Sequence, residues 1–199
     1  MNCVSHDYIT KYAIGISNLN LSQSQIDALR VYCIKPDEDE AEGAFKNHFY
    51  NPATNLNFRG ERSSALTKFE EHYLNSDKGR NIEHLGRAIH FLEDLCCPVH
   101  TYYEDLFDSV YRLNQHVDFE NTCDKIIHDI NPLMIAIDKD YYYINSLKTI
   151  GKSCAMKASK LFHELDTDLV SVRDTAERSI LLAIQSVAGI LIRFFGGSI

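Results

Sequence analysis

Apolar residues recur with the period of an α-helix along most of this chain. The first stripe lies in residues 5–19, where apolar side chains follow the i, i+3, i+4 spacing of a helix with one buried face: Tyr8, Ile9, Tyr12, Ala13 and Ile16. The same pattern predicts six further helices, at about residues 22–32, 63–74, 81–95, 115–127, 146–165 and 174–195. We found no internal repeat, low-complexity tract or linker. Residues 1–199 are therefore predicted to form one all-α, single-domain bundle of several helices.

Two stretches interrupt the helical pattern. Residues 36–58 contain Pro36, Gly43 and Pro52 with several Asn and Asp residues, which predicts a long ordered loop of the kind that often carries function. The Tyr-rich stretch 141–143 is predicted to be a connection between helices. The last helix, in contrast, is strongly apolar. We interpret it as a central core helix, with a helix that lies on a membrane surface as the alternative.

The charge of the chain restricts its partners. Its 199 residues carry a formal net charge of −8, and the pI is about 5.5. Nucleic acids and anionic membranes attract proteins with a surplus of Lys and Arg, so this balance argues against electrostatic capture by either. The excess of carboxylates is, however, compatible with the binding of cations.

Targeting signals and cysteines leave the compartment open. The chain has no run of about 18 or more apolar residues, so we predict no transmembrane segment. The N-terminal residues lack the apolar core of a signal peptide, which fits either a cytoplasmic protein or a chain whose signal has been removed. The six cysteines show neither a C-x-x-C pair nor a regular spacing, and we interpret them as mostly buried thiols.

The most informative segment is residues 84–100, HLGRAIHFLEDLCCPVH. His90 and Asp94 are four residues apart on a predicted helix, which places their side chains next to each other, about 5 to 6 Å apart at Cβ. One divalent cation can therefore contact both. His100 follows just after Pro98, which ends the helix, so its side chain can turn back toward the same pocket. This spacing offers three potential metal ligands.

A second pair, His116 and Glu120, repeats the spacing on another predicted helix. A His and an acid at this spacing usually form a solvated ion pair that contributes a few tenths of a kcal/mol. Two such pairs on separate helices, with another His between them, instead favour a site for several metal ions. Imidazole and carboxylate ligands with few thiolates are typical of catalytic zinc.

The remaining acidic and histidine residues separate into two groups. The acidic run at residues 37–42 would ordinarily be a solvated loop, but it lies just before His48, which favours one metal-binding carboxylate within it. The other histidines have no matching partners in the sequence, and we interpret them as surface or hydrogen-bonded residues. They are His72, His84, His128 and His163.

Four segments resemble the zinc-dependent phospholipases C, a family that includes the alpha-toxins and is related to the fungal single-strand-specific nucleases. They are SHDYITKYAI near the N-terminus, NHFYNP around His48, LGRAIHFLEDLCCPVH and HVDFEN, all between residues 5 and 121. The resemblance implies an all-α bundle of this family's type, with a cluster of up to three zinc ions in a cleft. The last third of the chain supplies only a compatible helical pattern.

The resemblance also implies a ligand set for each ion. One ion would be held by Asp37, His48, His90 and Asp94, a second by His100, His116 and Glu120, and a third by His6, Asp94 as a bridge and the main-chain amine and carbonyl of Met1. Asp39 is the alternative to Asp37, because the loop before His48 is shorter than in the best-known members. Mature chains of the family begin with a Trp whose amine binds metal. This chain contains no Trp and begins with Met1, so the third site departs from the family pattern.

The implied reaction is hydrolysis of a phospholipid to diacylglycerol and a phosphorylated head group by a zinc-activated water. Asp37 is the candidate general base, and Phe45 resembles an aromatic residue that lines the head-group pocket. The short separation of His100 from His116 resembles the phospholipase branch more than the nuclease branch. Two alternatives stay open, a zinc-dependent nuclease or nucleotidase and a non-catalytic helical binding protein with a degenerate metal cluster.

The resemblance extends to partners and location. We expect a phospholipid substrate and peripheral contact with a membrane surface, with nucleic acid the less favoured partner. The resemblance predicts a secreted or extracellular protein, although the sequence leaves a cytoplasmic location open.

Overall fold

The computed structural model describes residues 3–39, 45–101, 110–132, 135–166 and 171–196. These residues form nine α-helices, numbered here in chain order. They are α1 (Cys3–Ser17), α2 (Gln23–Tyr32), α3 (Lys35–Glu38), α4 (Ala65–Gly79), α5 (Ile82–Leu95), α6 (Val110–Ile126), α7 (Lys139–Ile144), α8 (Leu147–Asp166) and α9 (Val172–Gly196). Short 3-10 turns lie at Phe45–His48, Pro98–His100 and Ile127–Asp129. The all-α fold class predicted from the sequence is confirmed.

All seven predicted helices are present, with ends that differ by a few residues. Both predicted connections differ from the prediction in part, because each contains a short helix. The loop expected at residues 36–58 contains α3 and a 3-10 turn. Pro36 lies in the first turn of α3, where its fixed φ favours a helix. The Tyr-rich connection is the helix α7, because the side chain of Asp138 accepts a hydrogen bond from the N–H of Tyr141 (3.1 Å) and caps its first turn.

The start of α5 is set by a capping side chain and its end by a proline. This is the helix that carries the predicted pair His90 and Asp94. The side chain of Asn81 accepts hydrogen bonds from the backbone N–H groups of Glu83 (2.9 Å) and His84 (3.3 Å). Arg80 has a left-handed φ of 52°, so α4 turns back directly into α5 and the two helices pack side by side. The helix ends before Pro98, as predicted.

Helix α9 lies at the centre of the bundle and packs against α1, α5, α6, α7 and α8. Within the described ranges it is the one helix long and apolar enough to cross a membrane, with a mean hydropathy of 1.8 over its most apolar window. Gln185 and Ser186 interrupt the apolar sequence of α9, so this helix does not contain one continuous apolar run of membrane-spanning length. In the structure 67% of that window is buried inside the protein, which is the arrangement of the core helix predicted from the sequence.

A close contact between α2 and α5 helps to place the candidate ligands. A Cβ atom at Gly86 would lie 2.6 Å from Cβ of Tyr32 and 3.0 Å from its backbone carbonyl carbon. The two helices can approach this closely only because residue 86 has no side chain. Since α3 follows α2 after two residues, this contact also brings α3 and Asp37 against α5.

The cysteines agree with their interpretation as buried thiols wherever the structure describes the side chain. Five are free and buried: Cys33, Cys96, Cys97, Cys123 and Cys154.

Candidate metal centre

The structure brings eight of the nine predicted metal ligands together. They come from α1, α3, α5, α6 and two 3-10 turns, and are His6, Asp37, His48, His90, Asp94, His100, His116 and Glu120. The ninth, Met1, lies outside the described residues. Each of the eight contributes a nitrogen or a carboxylate oxygen within 3.8 Å of another member of the set.

Asp94 is at the centre of this cluster, and its side chain is wholly buried. Its Oδ2 lies 2.8 Å from Nδ1 of His48 and 3.3 Å from Nε2 of His90. Its Oδ1 lies 2.8 Å from Nδ1 of His100 and 3.8 Å from Nε2 of His6. Both carboxylate oxygens therefore face imidazole nitrogens, and the two oxygens face different ones. This is the arrangement that a bridging carboxylate requires.

His90 is oriented by a contact outside the cluster. Its Nδ1 lies 2.8 Å from the backbone carbonyl oxygen of Cys33, a group that can only accept a hydrogen bond. Nδ1 is therefore the protonated nitrogen, and Nε2 faces the cluster, 3.0 Å from Nδ1 of His48. A backbone carbonyl that holds the second nitrogen of an imidazole is a common support for metal-binding histidines.

The second half of the cluster is formed by the turn after α5 and by α6. Oε1 of Glu120 lies 3.3 Å from Nε2 of His100 and 3.3 Å from Nε2 of His116. The two imidazole rings are stacked, with centroids 5.1 Å apart and an interplanar angle of 5°. Both histidines are buried, while the side chain of Glu120 is 20% exposed. This half thus lies closer to solvent than Asp94 does.

The acidic run before His48 contributes Asp37 to the cluster. Oδ1 of Asp37 lies 3.6 Å from Nε2 of His90 and 3.8 Å from Nδ1 of His48, and its side chain is 26% exposed. The alternative residue, Asp39, forms an ion pair with Arg87 at 3.3 Å. Of the two carboxylates, Asp37 is therefore the one that faces the predicted ligands.

Electrostatics keep three of the donors, Asp94, Glu120 and His6, in forms that bind a cation. Burial alone raises the pKa of Asp94, but the imidazoles around it, His100 foremost, lower that pKa well below its ordinary value. Burial alone raises the pKa of Glu120, but the positive charge of the N-terminus, together with hydrogen bonds to His100 and His116, lowers that pKa below its ordinary value. Burial and nearby imidazoles lower the pKa of His6 well below 6.5. The two carboxylates are therefore charged and His6 is neutral near pH 7.

The spacing and chemistry of the clustered side chains fit zinc ions. Three groups each have ligand atoms within 4.8 Å of one another: His6, Asp37 and His90; His48, His90 and Asp94; His100, His116 and Glu120. Two ligand atoms on a tetrahedral zinc ion are about 3.4 Å apart, so small movements suffice to close each group around an ion. Nδ1 of His116 is buried and has no hydrogen-bond partner in the part of the chain that the structure describes. The donor set is nitrogen and oxygen, as catalytic zinc prefers.

Aromatic side chains lie along one side of the second half. The ring of Phe45 is 40% exposed, and its centroid is 6.2 Å from that of His116. Phe49 lies behind it, 4.8 Å from Phe45 and 4.9 Å from His100. Sequence reasoning selected Phe45 and missed Phe49, although its position directly after His48 marks it as a neighbour of the site.

Sequence reasoning also missed Glu93. This residue precedes Asp94 on α5, and its side chain is wholly buried beside His6. The signal available in the sequence was a second acid within the apolar stretch of a core helix, because buried carboxylates require specific partners.

The four histidines without predicted partners lie elsewhere, as expected. His72 and His84 contact each other through their Nδ1 atoms, 3.0 Å apart. His128 packs its ring edge-on against Tyr8, and His163 is exposed on α8.

Comparisons with known proteins agree with this geometry. The sequence profile of the family described as zinc-dependent phospholipase C matches residues 5–172. The structure is similar to that of the alpha-toxin from Clostridium absonum, with a TM-score of 0.80 and 22% sequence identity over 96% of this chain and 64% of that one. It is also similar to the alpha-toxin from an avian strain of Clostridium perfringens, with a TM-score of 0.77 and 18% identity over 96% of this chain and 62% of that one. No curated protein matched.

These similarities differ in what they establish. At such low identity the toxin structures show the fold, and the present chain spans less than two thirds of the length of either toxin. The family profile covers most of the chain and includes every described residue of the cluster. The chain belongs to the zinc-dependent phospholipase C family.

Proposed function

We propose that this protein is a metal-dependent phosphodiester hydrolase, and specifically a phospholipase C that releases diacylglycerol and a phosphorylated head group. One observation carries the proposal. Imidazoles and carboxylates from five distant segments of the chain surround the buried Asp94 in groups that suit zinc. Membership in the family supports a phospholipid as the substrate, and we propose up to three zinc ions as the cofactor.

Each group of side chains has a place in this proposal. Asp37, His48, His90 and Asp94 would hold one ion, His100, His116 and Glu120 a second, and His6 with Asp94 a third, with Met1 completing the last site. When bound, zinc ions in such a centre neutralise phosphate oxygens and lower the pKa of a water molecule toward neutrality. The side chains fix where that chemistry takes place, because most of them are buried and supported by further contacts.

Asp37 is the proposed general base. It is the more exposed of the two carboxylates beside His48 and His90, at 26%, so it lies where the buried cluster meets solvent. From there it can orient the attacking water and accept its proton. The water oxygen forms a bond to phosphorus, the bond from phosphorus to the glycerol oxygen breaks, and that oxygen takes up a proton as diacylglycerol leaves.

Phe45 is the proposed substrate contact. Its exposed ring lies near the imidazole of His116 and packs on Phe49, which holds it at the edge of the cluster. An aromatic face at this position can pack against the head group or the glycerol portion of a phospholipid, and it attracts a cationic head group through its π electrons.

A lysine row on α8 supports the proposed contact with a membrane surface. The net charge of the whole protein argues against such contact, but residues 147–163 contain no Asp or Glu. Lys148, Lys157 and Lys160 are exposed on this helix, and Met156 between them is 57% exposed. Each lysine near an anionic lipid surface contributes about 1 kcal/mol. Replacing the three lysines by Gln should therefore lower binding to vesicles that contain phosphatidylglycerol about 100-fold, and leave hydrolysis of a soluble substrate unchanged.

The vesicle experiment has a matched control. Lys78 is exposed on a different helix, α4, and is not part of this row, so Lys78→Gln should bind vesicles as the wild-type protein does. Unchanged sedimentation of the triple variant with anionic vesicles would contradict the proposed role of α8.

The catalytic proposal is tested with the zinc-loaded protein and a short-chain, monomeric phosphatidylcholine. Release of the phosphorylated head group should require zinc, stop on addition of a chelator and return when zinc is restored. The same preparation is offered single-stranded DNA and RNA. Release of mononucleotides without lipid cleavage would favour the nuclease alternative. Zinc-loaded protein without either activity would favour a binding protein. A secreted or extracellular location remains a prediction from the family resemblance.

A further inference from the structure

Glu93 has a carboxylate in the core of the protein, where an unpartnered charge is costly. Its side chain is wholly buried on α5, and its two oxygens have different partners on α1. Oε2 forms a short contact with Nδ1 of His6, and Oε1 accepts a hydrogen bond from the hydroxyl of Thr10 at 3.0 Å. These two contacts satisfy both oxygens of the buried carboxyl group, as a polar group in the core requires.

The two acids next to each other on α5 point to different neighbours. Successive residues of a helix project about 100° apart, so Asp94 reaches the metal cluster while Glu93 reaches α1. On α1, His6 and Thr10 are four residues apart and share one face, which is the face turned toward Glu93. The hydroxyl of Thr10 fixes one oxygen of Glu93 and thereby aims the other at His6.

The ring of His6 has one nitrogen toward each acid. Its Nδ1 contacts Glu93, and its Nε2 faces the cluster, 3.8 Å from Oδ1 of Asp94. The ring also stacks on that of His90, with centroids 4.1 Å apart, so it cannot rotate freely. A proton on Nδ1 that is donated to Glu93 leaves the lone pair of Nε2 directed into the cluster. This is the tautomer that a metal ion needs.

We infer that Glu93 is a positioning residue that holds His6 as an Nε2 ligand, and that Thr10 holds Glu93. The inference rests on the proposed metal centre and adds to it a support that does not touch the ions. Partners of this kind, a carboxylate behind a metal-binding histidine, typically change metal affinity by about 10- to 100-fold when they are lost. The effect should be confined to the ion that His6 holds.

The test compares Glu93→Gln with Glu83→Gln in the full-length protein. Glu83 lies on the same helix, with 45% of its side chain exposed, so the control makes the same chemical change away from the cluster. Zinc is titrated against a chelator of known affinity, and the bound ions are counted by elemental analysis. We expect Glu93→Gln to bind one ion about 10- to 100-fold more weakly and to retain the others. Glu83→Gln should bind zinc as the wild type does.

A second measurement separates positioning from a general structural role. In nitrogen NMR spectra of the zinc-loaded wild-type protein, His6 should show a protonated Nδ1 and a metal-bound Nε2. Glu93→Gln should weaken or abolish the Nδ1 proton signal while the signals of His116 stay in place. If Glu93→Gln does not fold, Thr10→Val removes the support of Glu93 more mildly, and should weaken the same ion by about 10-fold.

Two results would overturn the inference, and they differ from failure of the proposed function. Wild-type zinc affinity for every ion in both Glu93→Gln and Thr10→Val would remove Glu93 from the site while leaving the metal centre intact. An Nε2-protonated His6 in the loaded protein would do the same. If the wild-type protein itself binds no zinc, the metal centre and this inference fail together.

Discussion

Asp94→Asn tests the centre of the proposed metal site, because the substitution keeps size and one carbonyl oxygen and removes the charge. Asp94 lies within 3.3 Å of nitrogens of His48, His90 and His100, so it would be next to any ion that those residues hold. Two unit charges about 4 Å apart interact by ~4 kcal/mol at an effective dielectric constant of about 20. Zinc carries two charges, and the amide oxygen of Asn retains part of the interaction.

We therefore expect Asp94→Asn to lose at least about 3 kcal/mol of zinc-binding free energy, which is about 100-fold in affinity. The assay is zinc content after dialysis against a chelator of defined affinity, with circular dichroism to show that the helices are intact. Asp118→Asn is the control. It removes a carboxylate from α6 between His116 and Glu120, but its side chain is exposed and should leave zinc content unchanged.

The result that would refute the reasoning is specific. If folded Asp94→Asn retains wild-type zinc stoichiometry and affinity, the carboxylate does not contact the ions. The close approach of its oxygens to three imidazoles would then be an arrangement of the metal-free core alone.

Four further predictions follow from the structure. Asp37→Asn should lower hydrolysis of a soluble phosphatidylcholine about 100-fold or more, because the side chain of Asp37 faces the cluster. Asp39→Asn should stay close to wild type, because Asp39 pairs with Arg87; equal losses would contradict the choice of Asp37 as general base. Phe45→Ala should raise KM for the same substrate several-fold without changing zinc content, because the ring is at the exposed edge of the site; an unchanged KM would remove it from the binding surface. Gly86→Ala should destabilise the protein by about 1–3 kcal/mol, because the Cβ of the alanine would lie 2.6 Å from Cβ of Tyr32 on α2. Thermal unfolding should show a Tm lowered by about 2–4 °C per kcal/mol. Burial alone lowers the pKa of His100, but nearby negative charge raises it to about 10, so this histidine is protonated in the metal-free protein at neutral pH. Zinc must displace that proton, so zinc affinity should rise as the pH is raised from neutral toward about 10, with proton release in calorimetry. A pH-independent affinity would contradict this prediction.

The parts of the fold and site that could be predicted from sequence depend on neighbours along the chain. The periodicity of apolar residues selected the seven longer helices, and the i, i+4 spacing selected the pair His90 and Asp94 and the pair His116 and Glu120. The errors have the same origin. Helices α3 and α7 are too short to show a period, and they form because Pro36 and Asp138 favour a first turn.

The sequence by itself determined the seven longer helices, the two candidate ligand pairs and the family, since each depends on residues within a few turns of one another or on segments matched in order. Tertiary structure decided which acid of the run before His48 faces the cluster, how the carboxylate of Asp94 comes to lie beside four imidazoles, and which residues Glu93 contacts. The physical reason is distance. These contacts join residues from separate helices, and such contacts are set by how α1, α3, α5 and α6 pack, which no local spacing along the chain encodes.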